Sequence, residues 1–121
     1  MGQPSRSGAM VTDYVPERGD IVWLSFEPHI GHEQAGVRPA IVISSRRYNR
    51  KAQLMIACPI TSKIKNYPFE VKLKTRNLTG VILADQVKSL DWTIRKPKFG
   101  EKAPLDALKQ TQDLIALLVN G

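Results

Sequence analysis

Four groups able to do chemistry fall within seven residues: His32, Glu33, Gln34 and Arg38. A carboxylate such as Glu33 acts as a base where desolvation raises its pKa. A guanidinium such as Arg38 braces a developing anionic charge with a rigid fork that lysine does not reproduce. These groups stand in Gly31 to Pro39, between Glu27-Pro28 and the apolar run Ala40-Ile41-Val42-Ile43-Ser44. The glycines Gly31 and Gly36 are free to take positive φ, which predicts a loop over Glu27 to Val37. The β-branched run entered through Arg38-Pro39 predicts a strand over Arg38 to Ser44, central because it is apolar on both faces. Reactive groups on a loop above a rigid strand are a common arrangement for function. The same composition also suits a solvated turn, with Glu33 paired to Arg38 as a brace and His32 in water.

Metal chemistry finds little support. His29 and His32 lie three apart with Glu27 and Glu33 nearby, yet no CxxC, HExxH or paired-aspartate pattern accompanies them. No metal and no cofactor are expected; Walker, GxSxG and dinucleotide fingerprints are missing too. A second polar pair, Thr61-Ser62, closes the apolar run Gln53 to Ile60, where the hydroxyls can bond phosphate oxygens or simply cap a strand end.

The surrounding elements are short. Asp20 to Phe26 has strand composition, with Trp23 and Phe26 as core or loop-packing residues. Arg46 to Lys51 reads as a basic turn and Lys63 to Pro68 as a polar loop. Phe69 to Lys74 alternates apolar and charged residues, a strand with one dry face. A turn over Arg76 to Gly80 precedes a strand over Val81 to Val87. Lys88 to Ile94 either continues that strand or forms a separate piece, and Pro97 to Lys102 reads as loop. Pro104 to Asn120 is a helix, with Pro104 in the first turn, Asp106 complementing the dipole, and Leu105, Leu108, Ile115 and Leu118 on one face. Five or more strands and one helix predict a small, mainly β, barrel-like domain.

With 121 residues the chain suits one domain, expected over 10–121. Residues 1–9 are polar, without the apolar stretch of a secretory signal, and read as a disordered tail or appended remnant before a second possible start at Met10. The longest apolar run, Leu114 to Val119, is too short to cross a membrane. Cys58 is the single cysteine, so no intramolecular disulfide forms, which fits a reducing cytoplasm, and its apolar neighbours make it a core residue. Between Arg46 and Arg76 nine basic residues face one acid, Glu70, an excess greater than the net +7 of the whole chain. Interleaved with Tyr48, Tyr67 and Phe69, such a window favours polyanions and leans toward nucleic acid, although Lys72 and Lys74 also suit a solvated strand face.

The stretch Gly31 to Pro39 resembles the loop-and-strand motif of the MazF/PemK toxin endoribonucleases. So do Arg18 to Trp23, Cys58-Pro59-Ile60-Thr61-Ser62, Tyr67-Pro68-Phe69-Glu70-Val71 and Leu83 to Trp92, in the family's order from about Met10 to the C-terminus. The Tyr67–Val71 and Leu83–Leu90 segments are most similar to the MazF branch. The resemblance implies a compact SH3-like barrel of the CcdB/MazF/PemK type with helices, forming a two-fold dimer. It implies a toxin that cuts single-stranded RNA at chosen sequences without metal or ribosome. The 2′-hydroxyl would attack the adjacent phosphate, leaving 2′,3′-cyclic phosphate and 5′-hydroxyl ends. It places the catalytic arginine on Arg38, the loop glutamate on Glu33 and the catalytic threonine on Thr61. In the PemK branch a histidine matching His32 takes part, together with an aspartate matching Asp85 and an arginine two residues earlier. Leu83 stands at that last position, which breaks the second scheme. Glu33 and Arg38 are therefore the expected catalytic core, with His32 assisting or touching RNA. Gln34, Ser62, Lys63, Lys65 and Asp85 are RNA-binding candidates, Asp85 with a structural role as its alternative. The implied partner is an antitoxin with an acidic, disordered tail lying across the basic groove. Two other readings need none of this chemistry: a CcdB-like toxin that binds gyrase, and a basic nucleic-acid-binding module without catalysis.

Overall fold

The computed structural model describes residues 14–27 and 36–121. The loop residues His32, Glu33 and Gln34, the paired His29, Gly31 and the N-terminal tail lie outside them. The described chain runs β1 (Asp20–Ser25), β2 (Val37–Val42), α1 (Arg46–Ala52), β3 (Met55–Thr61), β4 (Glu70–Lys74), β5 (Thr79–Leu83), a 3-10 turn (Ala84–Gln86), β6 (Lys88–Leu90), α2 (Trp92–Arg95), β7 (Lys98–Lys102) and α3 (Leu105–Asn120). All pairings are antiparallel, and the strand order is β4-β5-β3-β2-β1-β7 with β6 also on β3. The sequential pairs β1–β2, β2–β3 and β4–β5 are thus joined by the non-sequential β1–β7, β3–β5 and β3–β6 returns.

Side-chain alternation sorts the strands into two cores. Ile21, Ile41, Cys58, Ile60, Val71, Leu73 and Ile82 form one, covered by Ala107 and Leu108 of α3. Val22, Leu24, Ala40, Val42, Met55, Ala57 and Leu90 form the other, with Tyr14, Phe26 and Trp92 packed on it. The strand β2 feeds both, as its two-faced apolar pattern requires. The sheet curls around the first core far enough for Thr75, beyond β4, to donate its hydroxyl to Glu101 of β7 at 2.8 Å. The result is a mainly β half-barrel sheet with a C-terminal helix, in the mainly β, barrel-like class expected.

Several local expectations change. Arg46 to Lys51 is a helix, not a turn: the Ser45 hydroxyl accepts the Tyr48 N–H at 3.2 Å, and Gln53 ends it at φ 60. Pro97 to Lys102 holds strand β7; its charged residues and Gly100 suit a sheet edge. The strand predicted over Val81 to Val87 stops at Leu83, and Lys88 to Ile94 divides into β6 and α2, capped by the Asp91 carboxylate. In α3 the buried face is Ala107, Leu108 and Thr111 with Leu114 and Ile115 beside it, whereas Leu105 is 81% exposed and Leu118 lies outside. Trp23 is no core residue: it is 37% exposed and lies against Gly100. Gly36 does not take positive φ; Gly19 does, at 91°, where it turns the chain into β1.

Candidate active site

Arg38 sits near the start of β2, exposed, opposite Leu24 of β1. Toward β3 the ladder runs Val42–Ala57, Ile41–Cys58, Ala40–Pro59 and stops. The N–H positions of Ile43, Ile41 and residue 39 alternate toward β3, and Pro39 has no N–H to give, so β2 cannot extend the ladder in the usual way. From Ile60 onward β3 pairs instead with β5, Thr61 lying opposite Val81, and Val81 opposite Lys72 of β4. Thr61, Val81 and Lys72 therefore share one row by pairing, and Arg38 stands on the same face of β2 beyond the point where β3 parts from it.

The hydroxyl of Thr61 accepts the Lys63 N–H at 3.1 Å, which leaves its own proton free to donate. Ser62 follows, exposed. Beyond it Lys63 and Lys65 lie exposed on a loop held from below by Glu70. That carboxylate accepts the N–H groups of Lys65 at 3.0 Å and Asn66 at 2.9 Å. The lone acid of the basic window is thus the anchor of its loop, a role that composition alone does not reveal. Ile64, Asn66, Tyr67, Glu70, Lys72 and Val81 line an open hollow of about 220 Å³ beside Thr61. Asp85 is exposed and accepts the Tyr67 hydroxyl at 2.7 Å, which raises the phenol's pKa.

A second residue the sequence reading passed over is Gly80. A Cβ there would lie 2.2 Å from the Thr61 carbonyl oxygen and 3.2 Å from the Ser62 Cα. Only glycine lets β5 approach β3 this closely at Thr61. Its position after a run of turn residues, at the start of a strand, was the available signal.

The chain ends on either side of residues 28–35 also converge here. Ser25 pairs with Val37, and a Cβ on Gly36 would meet the Ser25 hydroxyl at 3.0 Å. Phe26 packs on the second core with the Lys88 ammonium 5.7 Å above its ring, and its carbonyl accepts from Arg95 at 3.3 Å. Glu33 precedes Gly36 by three residues in the sequence and lies outside the described residues. Among the described residues no cluster of three His, Cys, Asp or Glu could hold a metal ion. No helix among them is long and apolar enough to cross a membrane.

A half-barrel with a C-terminal helix, an exposed guanidinium on β2, a strand-end hydroxyl on β3 and a basic loop beside it marks a narrow class of small β proteins. The chain belongs to the PemK-like, MazF-like toxins of type II toxin–antitoxin systems, whose family model matches residues 17–119. It is 49% identical over 96 residues to the endoribonuclease toxin MazF of Escherichia coli K12, covering 78% of this chain and 86% of that one. With the endoribonuclease PemK of Escherichia coli it shares 34% identity, over 73% of this chain and 70% of the other. The structure matches MazF of Deinococcus radiodurans with a TM-score of 0.80 at 46% identity, over 90% of this chain and all of that one. Against the MazE–MazF complex from the same organism the TM-score is 0.79 at 42% identity, over 89% of this chain and 98% of the matched chain.

Proposed function

We propose that this protein is an endoribonuclease that cuts single-stranded RNA at selected sequences, as the toxin of a type II toxin–antitoxin pair. The observation that supports the reading is the Thr61–Val81–Lys72 row beside a basic loop, with Arg38 exposed on the same face of the neighbouring strand β2. Names of relatives such as MazF and PemK as endoribonucleases support it.

In the proposed reaction a substrate 2′-hydroxyl attacks its own phosphate. Glu33 takes the hydroxyl proton, the O2′–P bond forms, and the P–O5′ bond breaks. The products are a 2′,3′-cyclic phosphate and a 5′-hydroxyl. Arg38 stabilises the extra negative charge on the pentacoordinate phosphorus, and Thr61 donates its free hydroxyl proton to a phosphate oxygen. A guanidinium stays protonated, so Arg38 acts by charge rather than as the acid. His32 is the group suited to returning a proton to O5′. Gln34 and Ser62 contact the RNA, and Lys63 and Lys65 hold neighbouring phosphates. Asp85 acts through Tyr67, orienting its ring at the wall of the hollow where a base can lie. The charge demanded of a metal is supplied by Arg38, so the reaction runs without one.

The protein works as a cytoplasmic homodimer, and its antitoxin lays an acidic, disordered tail over the same basic face. Solved MazE–MazF complexes of relatives support the antitoxin partner. The test is cleavage of a long defined RNA in excess EDTA, beside Arg38→Ala. Discrete cuts with 5′-hydroxyl ends, reduced at least about 100-fold in the variant, are expected for loss of a main oxyanion stabiliser. Intact RNA at high enzyme excess refutes the proposal.

A further inference from the structure

The fold splits the basic window of the sequence into two surfaces. Lys72 lines the hollow near Thr61, and Lys63 and Lys65 are exposed on the loop beside it. Arg46, Arg47, Arg50 and Lys51 belong to α1, at the opposite ends of β2 and β3. Arg38 and Val42 are four residues apart on β2, about 13 Å of strand, and α1 begins four residues further on. No side chain of α1 reaches the phosphate that Arg38 would hold.

The helix is built to present charge. Arg47, Arg50 and Lys51 share one face at spacings of three and four, and all are exposed. Asn49 is fully buried on the other side, donating to the carbonyls of Pro16 at 2.8 Å and Ser44 at 3.2 Å. The Trp92 indole N–H adds a bond to the Asn49 carbonyl at 2.9 Å. Like charges at these spacings oppose a helix of only seven residues, so its cap and the Asn49 anchor must hold it. No acid stands in its first turn. The neighbouring carboxylate of Glu17 is taken up by the backbone N–H groups of Arg46 and Arg18, each at 2.8 Å. Among the described residues the ion pairs are Lys102–Asp20 and Lys109–Asp113, so Arg47, Arg50 and Lys51 lack carboxylate partners.

We propose that the outer face of α1 is a second phosphodiester-binding surface, which holds the RNA strand flanking the one at Arg38. This rests on the endoribonuclease reading and extends it, because it gives the enzyme a preference for long substrates. Two of the three unpaired cations are arginines, whose forks suit phosphate oxygens, and Tyr48 on the same helix is 41% exposed for base stacking.

The experiment uses the triple variant Arg47→Gln, Arg50→Gln, Lys51→Gln and 2′-O-methyl oligonucleotides, which have no 2′-hydroxyl to attack. Binding is measured by fluorescence anisotropy for a short strand that fits the Arg38 site and a long strand that also reaches α1. At low salt the long strand should bind about tenfold more weakly to the variant, with the short strand unchanged. The slope of log affinity against log salt should become shallower by about 2, the loss expected for three phosphate contacts to single-stranded nucleic acid. Equal effects on both lengths, or none, overturn the proposal. Loss of poly-glutamate binding with long-strand binding intact also overturns it, and assigns the face to an acidic protein. If the unmodified protein cleaves no RNA, the endoribonuclease reading fails, while the length dependence still decides the fate of α1.

Discussion

Replacing Gly80 with alanine adds one methyl group at a point where the backbone leaves no space for it. The new Cβ would lie 2.2 Å from the Thr61 carbonyl oxygen and 3.0 Å from its carbon, both backbone atoms that no rotamer change can move aside. Restoring tolerable contact requires β5 to retreat from β3 by about 1 Å, an overpacking strain of about 2 kcal/mol. For a domain of this size that is a fall in Tm of about 5–10 °C, which leaves the protein folded at room temperature. The retreat occurs at the Thr61–Val81 pair, so Thr61 moves relative to Arg38. A misplacement of about 1 Å in a catalytic constellation can cost about 100-fold in rate, and kcat/KM for RNA cleavage should drop on that scale. Gly100→Ala is the control. Its Cβ would meet the Trp23 indole at 3.0 and 3.1 Å and the Ile21 carbonyl oxygen at 3.2 Å. That site is on the far edge of the sheet, so stability should fall modestly and cleavage should persist. Thermal melts and initial rates on a short RNA suffice. A Gly80→Ala protein with full activity and unchanged Tm refutes the close-approach argument.

Two further outcomes follow from buried polar groups. Asp20 is 1% exposed and takes bonds from the Tyr14 hydroxyl, the Glu17 N–H and the Lys102 ammonium. Asp20→Ala strands these donors and should cost about 2–3 kcal/mol in denaturant titrations. Lys102 is largely exposed, so Lys102→Ala should cost under about 1 kcal/mol, and equal losses in the two variants would contradict the burial asymmetry. Burial pushes the Cys58 thiol up from 9.0 to about 12, with Asp85 adding to the rise. The folded protein keeps this proton where the unfolded chain has lost it. Its contribution to stability is therefore full below pH 9 and declines as pH rises toward about 12. Alkylation of native protein at pH 9 should be far slower than of unfolded protein; matching rates would place Cys58 at the surface.

The resemblance to the MazF and PemK toxins lay in five short segments that kept their order, and they were enough to name fold and family. Hydropathy also gave the central strand, because residues 40–43 are apolar on both faces of the sheet and both faces are covered. The helix α1 stayed hidden: Arg-Arg-Tyr-Asn-Arg-Lys has no apolar stripe, and its anchor is one buried amide. Strand β7 was hidden for the reason its charges exist, since an edge needs no second apolar face. In α3 the periodicity offered more than one apolar stripe. The curvature of the sheet chose the one led by small Ala107, leaving Leu105 and Val119 in solvent.

For the site, the sequence alone determined the inventory. The types at Arg38, Thr61 and Lys63 are fixed by the chain, as is the separation of five residues between Glu33 and Arg38. Tertiary structure decided which of them meet. Pro39 withholds the next N–H from β3, the ladder ends there, and Thr61 pairs with Val81 of β5 instead. A single carboxylate, Glu70, turns from an exception in a basic run into the anchor of the lysine loop. Seven of the nine cations of one sequence window part to opposite ends of two strands because a strand advances about 3.3 Å with every residue. Composition counts charges, but only the path of the backbone decides which charges can touch the same ligand.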